Sequence, residues 1–341
     1  MLRLSYDRIS ESFRGIGSYA VFAADPPWTA SSNLFPHPAD AVTIVKDLDR
    51  ETLDGYTRSC PDSDYIVGLG GGTAIDAAKY VACYKSGAKP KLVLVPSTVS
   101  VNAFMSPEIA VRIEGIVNYQ GPIFADLILV DIPLIRSAPP RLNRAGVGDI
   151  YSARTSLVDW EAEHKTSQGW FDEEVFSRTT TVLKRLKEKA RDIYDVTEEG
   201  IKVIVQSNIE IAEVVKILEQ KGRPKNKTWP ADGIEHIFFY SLEKFVDRPL
   251  IHGEIVGLGA VVGTHVQGGD VDSVIEDLDS FGLQFRPTQI GISFDEFKKA
   301  ILSMKDVSRS MGYSYLSLQG TSPDSDDVTF LWEKLAVTRS K

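Results

Sequence analysis

Cysteine is almost missing from this sequence: 341 residues contain two, Cys60 and Cys83. Two cysteines build no disulfide framework, and their spacing matches no metal knuckle, so both are expected as reduced thiols of a cytoplasmic protein. Long apolar runs are also lacking, and none approaches the roughly 20 residues of a membrane span. The opening "MLRLSYDRISESFRG" has no apolar core suited to a secretion signal. Basic residues are too few for a nucleic-acid face: 38 Lys and Arg against 47 Asp and Glu leave a formal charge of -9. The expected partner is therefore a small molecule, with neither nucleic acid nor membrane. A phosphorylated substrate stays open, because a few local cations suffice to bind one.

Short apolar runs punctuate the first part of the chain: "YAVFAAD" (19–25), "AVTIVKD" (41–47), "YIVGLGG" (65–71), "KLVLVPS" (91–97) and "LILVDI" (127–132). Continuous rather than alternating apolar residues predict strands buried on both faces, as in a parallel sheet covered by helices. Residues 112–123, "RIEGIVNYQGPI", fit an added hairpin or an irregular excursion. Beyond Pro139 and Pro140 the periodicity becomes helical, over 172–195, 198–221, 231–246, 253–267, 273–283, 294–311 and 326–338. The proline pair marks the expected boundary between an α/β half and an all-helical half.

The stretch "YIVGLGGGTAIDAAKYVA" (65–82) sets three glycines between an apolar run and a helical segment. Bare backbone there lets a phosphate approach closely, and the first N–H groups of the following helix point at it with the positive end of the dipole. Gly68 and Gly70 fit the common dinucleotide fingerprint, but Thr73 stands where its third glycine belongs. No Gly-Lys-Ser/Thr follows, which excludes a nucleotide triphosphatase loop. A tight strand-to-helix turn without any ligand is the plainer alternative. Asp76 and Lys79, three residues apart on the helix, would by themselves be a solvated pair.

"GGGTAIDAAK" (70–79) resembles the Gly-Gly-Gly-Ser/Thr-x-x-Asp-x-x-Lys signature of the iron-containing alcohol dehydrogenase, glycerol dehydrogenase and dehydroquinate synthase superfamily. The resemblance implies an α/β fold of the dehydroquinate synthase type. An N-terminal Rossmann-like parallel-sheet domain over 1–139 would bind NAD or NADP, and an all-helical domain over 140–341 would bind metal and carry catalysis. It implies that Gly70, Gly71, Gly72 and Thr73 hold the cofactor pyrophosphate. Asp76 and Lys79 would line the cleft side of the helix near the diphosphate, Lys79 reaching toward substrate or ribose. Ser97, Thr98 and Asn102 would meet the nicotinamide ribose and the substrate. Asp25, ending an apolar run, is a candidate for the adenosine ribose, which would favour NAD.

Of five histidines, two lie in suggestive settings, His236 in "GIEHIFFYSLE" and His252 in "IHGEIVGLGAVVG". Glycines at 253, 257, 259 and 263 would let the second helix approach its neighbours closely, although they cost helix propensity. With Asp149 of "AGVGDIYSA", these residues resemble the Asp…His…His metal triad of the superfamily. One carboxylate, two imidazoles and an open position suit a single catalytic divalent metal, zinc ahead of iron. His37 and His164 are expected at the surface, and His265 as an ordinary helix residue.

Three stretches look most like sn-glycerol-1-phosphate dehydrogenases: "VPSTVSVNAFMS" (95–106), "SAPPRLNRAGVGDIYSARTSLVDWEAEH" (137–164) and "WPADGIEHIFFYSLE" (229–243). The implied activity is metal-dependent, NAD(P)-linked interconversion of a small polyol or polyol phosphate and its ketone or aldehyde. In it the metal polarises the reacting oxygen and the nicotinamide exchanges hydride. A sugar-phosphate cyclase using NAD transiently is the alternative, because dehydroquinate synthases share the His252-Gly253-Glu254 pattern. Departures fall on the substrate side: Asn102 in place of aspartate, Trp229–Gly233 in place of Arg-Pro-Ala-Ser-Gly, and Tyr240 in place of a second histidine. They imply a changed substrate, with Tyr240 as proton relay or pocket wall. A homodimer or larger homo-oligomer is implied as well.

Overall fold

The structure, a computed structural model, describes residues 3–87, 89–167, 170–222, 233–313, 315–319 and 322–336. The chain divides into two units, 1–143 and 144–341.

In the first unit six parallel strands form one sheet, β1 (Arg3–Ser5), β2 (Tyr19–Ala23), β3 (Ala41–Ile44), β4 (Tyr65–Gly70), β5 (Lys91–Pro96) and β8 (Leu127–Leu129). Their spatial order is β1-β8-β5-β4-β2-β3. The helices are α1 (Ile9–Ser12), α2 (Asp25–Ser31), α3 (Arg50–Ser59), α4 (Gly72–Tyr84) and α5 (Ile132–Ser137). Alternate residues serve two cores, as a pleated strand requires. Tyr19, Val21, Ala23, Val67, Leu69, Val93 and Val95 join Ile9 and Phe13 on one face. The intervening Phe22, Ile66, Leu92 and Leu94 are buried on the other.

Burial on both faces holds for β2, β4 and β5 but not for β3. That strand is at the edge of the sheet, and its Val42 and Ile44 are exposed. An apolar run reports the composition of a strand, not its place in the sheet. Residues 112–123 belong to a hairpin, β6 (Ile109–Ile113) with β7 (Ile116–Gln120). Its turn is Glu114-Gly115, both at positive φ (52° and 80°), the backbone of the two-residue turn that matches strand twist.

Chain order makes the ends of β2 and β4 special. From β2 the chain runs to β3 on one side, whereas from β4 it runs to β5 on the other. The loops leaving β2 and β4 therefore diverge, opening the crevice where parallel sheets bind ligands.

The second unit is helical: the division falls within α6 (Pro140–Tyr151), followed by α7 (Ala153–Ser167), α8 (Glu173–Glu188), α9 (Ala190–Tyr194) and α10 (Glu198–Gln220). Then come α11 (Ile234–Glu243), α12 (His252–Val266), α13 (Val271–Ser280), α14 (Phe294–Ser310), α15 (Leu316–Gln319) and α16 (Ser325–Ala336). Expected helix 172–195 is two helices, broken at Lys189, whose backbone (φ -106°, ψ 15°) leaves the helical region. Among the described residues no helix is long and apolar enough to cross a membrane.

Candidate cofactor turn and metal centre

The glycines at the end of β4 do different jobs. A Cβ on Gly68 would lie 2.8 Å from Ala78 Cβ, and one on Gly70 2.8 Å from Ala74 Cβ. Gly70 also has φ +153°, a conformation that side chains rarely adopt. These two glycines let α4 lie on the sheet. Gly71 is different: its Cβ would meet nothing closer than Thr98 Cγ2 at 3.4 Å, an ordinary contact. Gly71 precedes α4 with no side chain capping the helix, so the first N–H groups of thirteen residues of helix lie beside bare backbone. That is the donor set an anion needs.

Ser97 and Thr98 border the same turn. The Ser97 N–H donates to the Gly70 carbonyl at 3.0 Å. The Thr98 hydroxyl is buried without a hydrogen-bond partner, so the residues fit a ligand bearing polar groups. Asn102 follows on the same loop, and Val101 beside it would meet a Cβ on Gly72 at 3.0 Å. Asp25 opens α2 directly after β2, beside the crevice, and is exposed. The strand itself ends at Ala23, short of the expected Asp25.

Asp76 and Lys79 are not a solvated pair. Both are buried, at 6% and 1% relative exposure. The Lys79 ammonium donates to Asp76 Oδ1 at 2.8 Å and to the Glu108 carbonyl at 2.7 Å. These bonds tie α4 to the residue just before the β6–β7 hairpin.

The second unit brings Asp149, His236 and His252 together, with one donor atom from each lying within 4.8 Å of the others. Glycine contacts explain how. At the α6–α12 crossing a Cβ on Gly148 would stand 2.0 Å from the Gly253 carbonyl oxygen. Backbone meets backbone there, which sets Asp149 next to His252. On α12 a Cβ at Gly259 would lie 2.5 Å from the Glu235 carbonyl, and one at Gly263 2.7 Å from Ile234 Cγ2. Both contacts draw the first turn of α11, and with it His236, onto α12.

Asp149 Oδ1 is 3.3 Å from His252 Nε2 and 3.7 Å from His236 Nε2. Ligand bonds of about 2.1 Å in tetrahedral geometry place donor atoms about 3.4 Å apart, so the three residues fit a zinc-sized cation. Burial favours the neutral acid, yet the His252 and His236 rings outweigh it and hold the Asp149 carboxyl well below the usual carboxylate range. The group is an anion ready to bind metal. His252 is the most exposed of the three, and Phe239 meets its ring edge-on at 4.6 Å.

Tyr240 follows His236 by four residues on α11, which sets both on one face, and is half-buried with its ring against Phe239. Trp229–Asp232 lie outside the described residues. His265 pairs with Asp327 at 2.8 Å and stacks on Phe330. His164 is exposed against Phe171. His37 is half-buried, its Nε2 3.0 Å from the Ile16 carbonyl, rather than at the surface. One participant was not anticipated: Glu235, fully buried, with Oε1 2.9 Å from His236 Nδ1. The available signal was an acid beside the histidine in "IEHIFF", where the other four residues are apolar.

Residues 37–139 match the profile of the iron-containing alcohol dehydrogenase family. The glycerol-1-phosphate dehydrogenase [NAD(P)+] of Hyperthermus butylicus is 30% identical over 75% of this chain and 70% of its own length. The chain belongs to this family. It is an NAD(P)-linked, metal-dependent oxidoreductase. The Aeropyrum pernix enzyme of the same name is 27% identical over 92% of this chain and 88% of its own. Among solved structures, a probable glycerol dehydrogenase from Sinorhizobium meliloti has TM-score 0.73 at 18% identity, over 98% of this chain and 97% of that one. A sulfoacetaldehyde reductase from Bifidobacterium kashiwanohense, in complex with NAD+, has TM-score 0.61 at 14% identity, over 99% and 97%. These two share the fold.

Proposed function

We propose that this protein interconverts a small polyol phosphate of the glycerol-1-phosphate kind and its ketone, using NAD and one zinc ion. The convergence of Asp149, His236 and His252 carries this reading. Asp149 would contribute charge and the two imidazoles nitrogen donors, a set that suits a catalytic divalent metal with room for substrate. A divalent cation there supplies Lewis acidity, acidifying a hydroxyl in one direction and polarising a carbonyl in the other.

The remaining residues bind and orient. The bare backbone at Gly71 and the uncapped start of α4 receive the cofactor diphosphate. The Thr98 hydroxyl, buried and unpaired, takes a hydrogen bond from the ribose or gives one to it. Asp25, exposed where the β2 and β4 loops diverge, suits a ribose diol better than a 2′-phosphate, which supports NAD. Asn102 and Tyr240 are assigned to the substrate, and Lys79 to holding the cofactor helix.

The deciding experiment follows reduced nicotinamide by absorbance with dihydroxyacetone phosphate, dihydroxyacetone or glycerol, with and without zinc. Turnover is expected with the phosphorylated ketone and NADH, and it should need zinc. His252→Ala should abolish turnover and zinc content while the protein stays soluble. Full zinc content in that variant, or tight NAD binding with no net redox change on any substrate, would overturn the proposal.

A further inference from the structure

Glu235 has no exposed surface, yet it carries a carboxyl group and sits in the first turn of a helix whose buried residues are mostly apolar. Its carboxylate collects donors from three directions. Oε1 accepts from the Gly233 N–H at 2.6 Å and the Ser156 hydroxyl at 3.1 Å, and Oε2 accepts from the Thr155 hydroxyl. The fourth partner is His236, whose Nδ1 lies 2.9 Å from Oε1. Glycine makes room around the group: a Cβ on Gly233 would lie 2.7 Å from both Glu235 Oε2 and Ser156 Oγ.

Burying a carboxylate costs several kcal/mol even when it is well bonded, so stability alone gives little reason to keep one here. Closing the first turn of α11 would explain the bond to Gly233, but not burial or the two hydroxyls from α7. The bond to His236 explains all of it. A carboxylate at Nδ1 requires that nitrogen to carry the proton, which leaves the Nε2 lone pair on the side of Asp149. The Thr155 and Ser156 hydroxyls in turn hold the carboxylate in place. Asp149 and Glu235 bracket the ring from its two nitrogens.

We infer that Glu235 is a positioning residue of the metal centre, fixing the tautomer and direction of His236 and raising zinc affinity. This rests on the proposed metal site, and the experiment separates the two. Zinc dissociation constants of the full-length protein would be measured by competition with a chromophoric chelator, alongside unfolding of the metal-free protein. Glu235→Gln should weaken zinc binding by about 10- to 100-fold, as loss of such a partner typically does. Zinc should also then raise the melting temperature of the variant less than that of the parent. Parental zinc affinity in Glu235→Gln, with equal destabilisation with and without zinc, would show a helix-end role and overturn the inference. Should Glu235→Gln not fold, Thr155→Val removes one hydroxyl at nearly constant shape, and zinc affinity unchanged in it would equally overturn the inference. Asp149→Asn is the control: if it binds zinc like the parent, the metal site itself is misassigned.

Discussion

Gly148 and Gly253 touch through their backbones: a Cβ on the first would stand 2.0 Å from the carbonyl oxygen of the second. Each adjoins a proposed ligand, Asp149 after one and His252 before the other. Gly148→Ala must therefore separate α6 from α12 and pull the carboxylate away from the imidazole. We expect loss of bound zinc and destabilisation of about 2–3 kcal/mol, in the range of overpacked interior sites. Zinc analysis with urea unfolding checks it, and a stable variant with full metal would show that the crossing does not set the site.

Gly70 and Gly71 should behave oppositely. Gly70→Ala meets both a positive φ and Ala74, so it should destabilise the fold. Gly71→Ala has room and an allowed backbone, so stability should change by less than about 0.5 kcal/mol. Its methyl would nevertheless stand where the diphosphate is proposed to approach. NAD affinity in Gly71→Ala, measured by calorimetry, should fall at least about tenfold, or about 1.4 kcal/mol. Unchanged affinity would remove the phosphate from this turn.

Lys79→Met should leave the Asp76 carboxylate buried without its ammonium and the Glu108 carbonyl without its donor. Breaking a buried pair from one side costs about 3–5 kcal/mol. The double variant Lys79→Met, Asp76→Leu should recover part of that loss. Denaturant titration of both decides, and a single variant as stable as the parent would contradict the buried pairing.

Asp159 is expected to make stability fall with pH. Burial pushes its carboxyl up to about 6, assisted by the Glu235 charge and opposed by hydrogen bonds from Ser317 and Gln267. The folded group then keeps its proton to higher pH than the unfolded one, so its penalty is absent below about pH 4 and complete above about pH 6. Asp159→Asn has no proton to lose. Relative to the parent it should gain about 3 kcal/mol of stability between pH 4 and pH 7. Unfolding midpoints across that range test it, and a difference that does not vary with pH would sink the idea.

Much of this was legible in residue order. Apolar runs located β2 to β5 and β8, helical periodicity located α10 to α14 and α16 closely, and the glycine turn and the three proposed metal ligands were named from their motifs. Strand β1 and helices α6 and α7 were not resolved as elements. The exposed face of β3 could not be read, because an edge strand differs from a central one only by its neighbours.

Local signals travel along the chain with the residues that make them: periods of 2 and 3.6, bare backbone after a strand, a histidine within an apolar helix. Those the sequence determined. Which charges are buried, which glycine serves the sheet and which the turn, and what stands behind His236 depend on residues far apart in order. Glu235 meets Thr155 and Ser156, 80 and 79 positions away, and Lys79 meets the Glu108 carbonyl 29 away. Only tertiary structure decides such pairings, because burial and hydrogen-bond partners are properties of the space around a side chain.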